Sequence, residues 1–348
     1  MRILTRAELA LRGVRVDSLR RPDGAGPSGD DHVLVDGANA ALPTNPSSPY
    51  SVRDGRVWLG DEDTGLTLTP VRRPRFYDLT TADGVPYEKI ARLHGADVLA
   101  TTVVQTCIRY AEADRCRFCT IEEALASGST VAAKTPEQLA EVAEAAVRLD
   151  GVRQMVLTTG TTTGPDRGAR TLARSVRAIR AAVPDLPVQV QCEPRPTSPG
   201  SASCTWPAPP RSASTSRAST TGCAAPGCRA RPRSRWPATT RPGTRPYASS
   251  AATASPRTCW WGSARTPTSW SPGRAGSSTG VYPFVVPFRP MRGTLAARDG
   301  VGAPDPAVLA YVTERVAARL RAAGMSGADQ QAGCAACGAC SVLRPAGG

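Results

Sequence analysis

The sequence predicts an α/β protein with a parallel sheet or barrel at its centre. From Asp97 onward, short β-branched runs alternate with helical patterns, the βαβα order of a parallel sheet. Two helix starts are explicit, at Thr135-Pro136-Glu137-Gln138 and at Asp305-Pro306. Apolar residues fill 41% of the 348 positions, enough to bury a core and to exclude a wholly disordered chain.

Residues 1–95 read as an N-terminal extension, loop-rich over 1–75, with turn material at Arg20-Arg21-Pro22-Asp23-Gly24 and short strands at 56–59 and 66–68. Asp83-Gly84 marks a turn, and 87–93 a short helix stopped by Gly95. The α/β region opens at 96–194. A strand is expected over 98–105. The next helix has Thr135 as N-cap, Pro136 at its first position, Gln138 closing a capping box, and a stripe of Leu139, Val142, Ala143, Ala146 and Val147. A strand over 154–159, a helix on Leu172, Val176, Ile179 and Val183, and a strand over 187–192 follow. Residues 280–325 hold a last strand over 282–288, with Pro283 and Pro287 suiting an edge or bulge. Its helix carries Leu309, Val312, Val316 and Leu320 and is stopped by Gly324. Residues 326–348 form a Cys-rich tail.

Between these parts lies a discontinuity. Residues 195–279 contain no Leu, Ile, Val, Phe or Met and no acid, but 12 Arg, 13 Pro and five of the six Trp. The formal net charge is +14, and without this block 31 basic residues face 29 acidic ones. Ordering a residue costs roughly 1–2 kcal/mol of backbone entropy, and a block without aliphatic side chains offsets little of it. A disordered Pro/Arg/Ser-rich segment is therefore expected there, interrupting the α/β unit. A linker, a basic nucleic-acid-binding arm and a reading-frame artefact compete as explanations. The genetic code favours the last. Take each new codon as the last base of one codon plus the first two of the next. With GC-rich codons, the residues from Cys259 to Trp270 then become LLVGLGEDPDEL, a strand, a turn and a helix start. With that frame restored, about six βα units fit.

No run of 18 apolar residues occurs, so no membrane partner is expected. The opening MRILTRAELALRG lacks a signal-peptide core, and a cytoplasmic setting follows. With eleven Cys and no export signal, metal or redox chemistry is favoured over a disulfide framework.

The strongest chemical signal is Cys107-Ile108-Arg109-Tyr110-Ala111-Glu112-Ala113-Asp114-Arg115-Cys116-Arg117-Phe118-Cys119, directly after the first strand of the α/β region. Three thiolates on one loop suit three irons of a [4Fe–4S] cluster and leave the fourth open to a small ligand. The alternatives are zinc, for which His94 is the nearest histidine in sequence, or three free thiols. A second triplet, Cys334, Cys337 and Cys340, has the dense spacing of a metal or auxiliary iron–sulfur site, against zinc or an unmetallated flexible tail. Cys192 reads as a buried strand thiol. Cys204, Cys223, Cys228 and Cys259 lie in the Arg-rich block and are assigned no function.

The run from Cys107 to Cys119 resembles the radical SAM superfamily, whose usual pattern is CxxxCxxC with an aromatic before the last Cys. Cys116-Arg117-Phe118-Cys119 matches its second half, while the first spacing is longer, with eight residues between Cys107 and Cys116. The stretches PRFYDLTTADGVPYEKIARLHGADVLATTVVQTC and CRFCTIEEALASGST are similar to the radical SAM proteins of nitrilase-associated bacterial gene clusters. The resemblance covers roughly 75–194 and 280–343. It implies a partial (β/α)6 TIM-like barrel and a [4Fe–4S] cluster on Cys107, Cys116 and Cys119. It also implies S-adenosylmethionine as cofactor, a small-molecule substrate, and an electron donor such as flavodoxin or ferredoxin. It places Phe118 beside the adenine, the loop Thr159-Gly160-Thr161 at the methionine amino group, and Glu193 against the cofactor. A solvated strand-end carboxylate is the plainer reading of Glu193. The shifted-frame string VGLGED resembles the fifth-strand adenine motif, which the chain as written lacks. Arg289 and Arg292 are candidates for an anionic substrate group or a solvated loop. Tyr110 is expected to pack the cluster loop. Three other readings compete: an iron–sulfur electron-transfer protein that does not cleave the cofactor, a nucleic-acid-binding protein, which the near-neutral remainder of the chain disfavours, and a chain that, translated as written, lacks about two βα units and is inactive.

Overall fold

The computed structural model describes residues 2–16, 31–111, 113–193, 248–249, 258–261 and 284–343. The chain begins with helix α1 (Arg2–Arg12), then strands β1 (Asp31–Val35), β2 (Ala38–Leu42), β3 (Tyr50–Arg53), β4 (Arg56–Leu59) and β5 (Glu62–Pro70). These form a five-stranded sheet in the order β2-β1-β5-β4-β3, and every pairing in it is antiparallel. The extension read as loop-rich is thus a folded sheet, in which the strands expected at 56–59 and 66–68 are β4 and part of β5. Two hairpins depend on Asp36-Gly37 and Asp54-Gly55, all four at φ between 48° and 73°, the left-handed pair that a type I′ turn needs. Leu9, Val14, Val33, Val35, Tyr50, Val57, Leu66 and Leu68 pack as its core. The run from Arg20 to Pro27 lies outside the described residues.

The second unit starts with α2 (Tyr87–Ile90), β6 (Arg92–His94) and β7 (Val98–Thr102), then α3 (Glu123–Ala126), α4 (Pro136–Asp150), β8 (Gln154–Thr158), α5 (Ala169–Ala182) and β9 (Val188–Gln191). The sheet order is β6-β7-β8-β9. Strand β6 is antiparallel to β7, while β7, β8 and β9 run parallel. Sequence alone extended the α2 helix through Leu93. Arg92–His94 instead pairs with β7, because a four-residue helix yields readily to a ladder on a neighbouring strand. The expected capping box at α4 forms: Thr135 accepts from Gln138 N, and the Gln138 side chain accepts from Thr135 N. Helices α4 and α5 cover one face of the sheet, with Leu139, Val142, Met155, Leu157, Leu172 and Ile179 in the shared core.

Strands β10 (Ala248–Ser249), β11 (Thr258–Trp261) and β12 (Phe284–Pro287) form a third sheet, with β11 and β12 parallel. Strands β10 and β11 stand inside the block expected to be disordered. The rest of that expectation falls outside the described residues. Strand β12 ends the order β10-β11-β12, a place compatible with Pro287. Helices α6 (Leu295–Arg298), α7 (Pro306–Ala322) and α8 (Cys334–Cys337) complete the chain. Asp305 caps α7 as expected, its side chain accepting from Ala307 N. Helix α7 packs on α1, burying Ala7 with Leu309, Val312, Val316 and Leu320.

The fold is α/β, with two complete parallel βα crossovers among the described residues. The expected six-unit barrel is not formed by the described strands, which belong to three separate sheets. The chain between β9 and β11 that would have to join them lies almost wholly outside the described residues.

Candidate metal centres

The first Cys triplet occupies the loop at the carboxyl end of β7, where ligands of parallel sheets bind. Cys116 is exposed, and Cys107 and Cys119 are half-buried. Burial pushes the thiol of Cys119 above its ordinary value, and negative charge on Cys116 and Cys107 raises it further.

Arg115 holds the loop's shape. Its Nη2 donates to Tyr110 Oη (2.6 Å), Cys119 O (2.9 Å) and Gly293 O (2.5 Å), and its guanidinium lies 3.8 Å from the Tyr110 ring centroid. Tyr110 packs the loop as expected. Arg117 pairs with Asp299 at 2.7 Å, and Ala296 N donates to Arg117 O. The Phe118 ring meets Phe288 at 4.8 Å, so the loop is bracketed by the segment after β12. Sequence reading gave Arg115 no part, and its position beside Cys116 was the available signal.

The loop after β8 touches the cluster loop. Gly160 N donates to Val104 O and Ile108 N donates to Thr161 O. A Cβ at Gly160 would overlap the Thr106 carbonyl, so only glycine allows this approach. Two backbone groups of Thr159-Gly160-Thr161 are thus already used in joining the loops. Glu193, just past β9, is also engaged rather than solvated. It accepts from Arg109 Nε (2.8 Å) and Nη2 (2.6 Å) and from Thr161 Oγ1 (2.7 Å). Burial alone would raise the Glu193 carboxyl, but these hydrogen bonds and the Arg109 charge outweigh it and hold the group below its usual range. Arg109, between Cys107 and Cys116, is a second residue that sequence reading missed.

The second triplet is not a flexible tail. It folds back onto the sheet face opposite α4 and α5. Gly333 N donates to Gln154 Oε1 (2.8 Å) and Cys334 N to Gln189 Oε1 (3.3 Å). Gln191 Nε2 donates to Cys334 Sγ at 3.3 Å. Cys337 is buried with Ala41, Val98, Val156 and Ala339, and Asn39 Nδ2 donates to its carbonyl. Burial raises the Cys334 thiol, partly offset by the Gln191 bond.

A cavity of about 290 Å³ lies over this face, with Cys334, Cys337 and Cys340 on its wall and Thr102, Ala124 and Lys134 elsewhere around it. Lys134 Nζ donates to Thr102 O (2.7 Å) and Thr130 Oγ1 (2.8 Å), and burial pulls its pKa down to about 7. His94 lines the same cavity. The structure thus groups His94 with the second triplet rather than the first. Cys192 is half-buried against the α4–α5 core. Arg289 lines a small separate cavity of about 30 Å³, and Arg292 is exposed. Cys204, Cys223 and Cys228 lie outside the described residues, and of Cys259 only the strand backbone is described.

Among the described residues, no three His, Cys, Asp or Glu donors converge as a single metal ion requires. A cluster makes a different demand, since each thiolate binds a different iron and the donors stand further apart. The described residues that could carry such a cluster are three thiols on one loop and three on the wall of one cavity. Among the described residues, no helix is long and apolar enough to cross a membrane. No family model matches the chain, and no curated protein matches it either.

Proposed function

We propose that the protein is a radical SAM enzyme, with its catalytic [4Fe–4S] cluster on Cys107, Cys116 and Cys119 and an auxiliary cluster on Cys334, Cys337 and Cys340. One observation carries the reading most. The first triplet sits on a braced loop at the carboxyl end of a parallel strand, joined to the loop after β8 and to the end of β9. When bound, the cluster and one electron from flavodoxin or ferredoxin would cleave S-adenosylmethionine to methionine and a 5′-deoxyadenosyl radical that takes hydrogen from a small-molecule substrate.

The chain's own residues serve that chemistry by position. Arg115 and Arg109 fix the loop from either side of the gap between Cys107 and Cys116. Phe118, against Phe288, offers an apolar edge for the adenine. Glu193 acts through Arg109 and Thr161 as a brace, and Thr159, Gly160 and Thr161 form the adjoining wall. The cavity beside Cys334 reaches Ala124 in the short helix after the cluster loop and offers a place for a small-molecule substrate. A partial (β/α)6 barrel and a reduced cytoplasmic setting belong to the same reading.

The test is anaerobic reconstitution followed by dithionite and S-adenosylmethionine. Release of 5′-deoxyadenosine, lost on Cys116→Ala, supports the enzyme. Cluster spectra with no cleavage of the cofactor would favour an electron-transfer protein instead.

A further inference from the structure

The cavity over the sheet carries basic groups that the cluster reading does not use. Lys89, Arg92 and Lys134 line it, and Glu88 is the one acid among its described lining residues. We propose that the edge of this cavity, where β6 stops short of β7, is a carboxylate-binding subsite in which Lys134 and Arg92 hold the acid group of a small carboxylic acid substrate.

The argument starts where a strand ends. Strand β6 begins at Arg92, opposite Ala100, so no residue of β6 pairs with Thr102. The Thr102 carbonyl accepts instead from Lys134 Nζ at 2.7 Å. Thr130 Oγ1 donates its own proton to Lys89 O (3.1 Å) and accepts from the same amine at 2.8 Å. Arg92 Nη2 donates to Ser129 O at 3.4 Å. Both basic side chains thus close on the adjacent residues Ser129 and Thr130, and none of their partners is an acid. Lys134 is only 4% exposed. Burial without a counter-charge disfavours the ammonium, which is why the Lys134 pKa falls to about 7. An uncharged amine has two N–H groups, and Thr102 O and Thr130 Oγ1 take both. A third proton meets only Val131 O, at 3.5 Å. A carboxylate entering the cavity supplies the missing charge and an acceptor for that proton, and the Arg92 guanidinium adds further donors. Strand register sets what lies beside this subsite. Ala100 pairs with Val156, Thr102 with Thr158, and Thr158 with Gln191, and all five line the cavity. Ala100 and Val156 are apolar, while the Thr102 and Thr158 hydroxyls stand 2.8 Å apart and Gln191 presents an amide. The ligand that fits is a small acid with an apolar body and an uncharged polar group.

This inference rests on the reading of the cavity as the substrate site, yet binding can be measured without turnover. The full reconstituted chain is titrated with butyrate at constant ionic strength and followed by saturation-transfer NMR, with butyramide and inorganic phosphate as parallel probes. Butyrate should bind and butyramide should not. Lys134→Met should weaken butyrate about 30-fold, as loss of one partner of a buried charge pair does. Arg92→Gln should weaken it less. A second reading needs no variant, so a misfolded one cannot blunt the test. Lys134 must take up a proton to meet a carboxylate, so butyrate affinity in the parent chain should fall about 10-fold or more from pH 7 to pH 9. Residual binding to Lys134→Met should lack that slope, which separates Lys134 from Glu88, Lys89, Arg92, His94 and the three thiols on the same wall. No butyrate binding, equal binding of butyramide, or butyrate affinity unchanged in Lys134→Met overturns the subsite. Phosphate bound more tightly than butyrate overturns the choice of a carboxylate. Absence of 5′-deoxyadenosine release in the cleavage assay, with butyrate bound as expected, overturns the enzyme reading and leaves the subsite standing.

Discussion

The two Cys triplets teach by contrast. The first lies on a loop of 13 residues from Cys107 to Cys119 that leaves Cys116 exposed. Its shape is held by charged groups, Arg115 on two carbonyls and Arg109 on Glu193. The second begins on a short helical turn that carries Cys334 and the buried Cys337, held by neutral amides from β2, β8 and β9, with Cys340 three residues further on. An open, polar, braced loop suits a centre that must admit a charged cofactor. The neutral amides around Cys334 and Cys337 offer no such charge. The same residue type thus stands in two different surroundings.

The largest expected effect breaks the comparison outright. Cys116→Ala should reduce 5′-deoxyadenosine release to background, while Cys337→Ala should leave cofactor cleavage and remove only the iron of the second site. Parallel iron analysis and product chromatography check both. Next is Arg109→Ala, which strips Glu193 of its bidentate partner. Loss of such a supporting contact should lower cluster retention or cleavage about 10–100-fold. Arg109→Lys should recover it only in part, because a lysine lacks the fork. Gln191→Leu should shift the reduction potential of the second centre, by removing the bond to Cys334 Sγ, and leave the loop centre unmoved; a redox titration followed by EPR reads both.

The smallest effect concerns Lys134, on the cavity wall. Its folded pKa of about 7 lies below the ordinary lysine value of about 10.4. Between these values the unfolded chain binds more protons, so stability should rise with pH across that window and be lost as pH falls through about 7. Urea unfolding at pH 7 and pH 9 should show this slope in the parent chain and a flatter one in Lys134→Met.

Much of the second unit was legible in the sequence, because its signals are local. Thr135, Pro136 and Gln138 spell a helix start, and Asp305-Pro306 another, and both caps form. The N-terminal sheet was misjudged although Asp36-Gly37 and Asp54-Gly55 are strong hairpin signals. Its strands are short, and only Leu66 and Leu68 alternate clearly enough to declare a buried face. The candidate site was legible as two Cys motifs and no further. Arg109 meets Glu193 across 84 positions, and Gln191 meets Cys334 across 143, separations that no periodicity encodes. His94 stands 13 residues before Cys107 in sequence, too far to be read as its partner, and the sheet places it on the cavity wall that Cys334, Cys337 and Cys340 also line.

The most direct measurement compares the EPR spectra of two reduced, reconstituted variants, with and without S-adenosylmethionine. One keeps only the loop thiols Cys107, Cys116 and Cys119, and the other only Cys334, Cys337 and Cys340. The account predicts that the cofactor changes the spectrum of the first and leaves the second untouched. A loop cluster indifferent to S-adenosylmethionine, or a second centre that responds to it, would contradict the account.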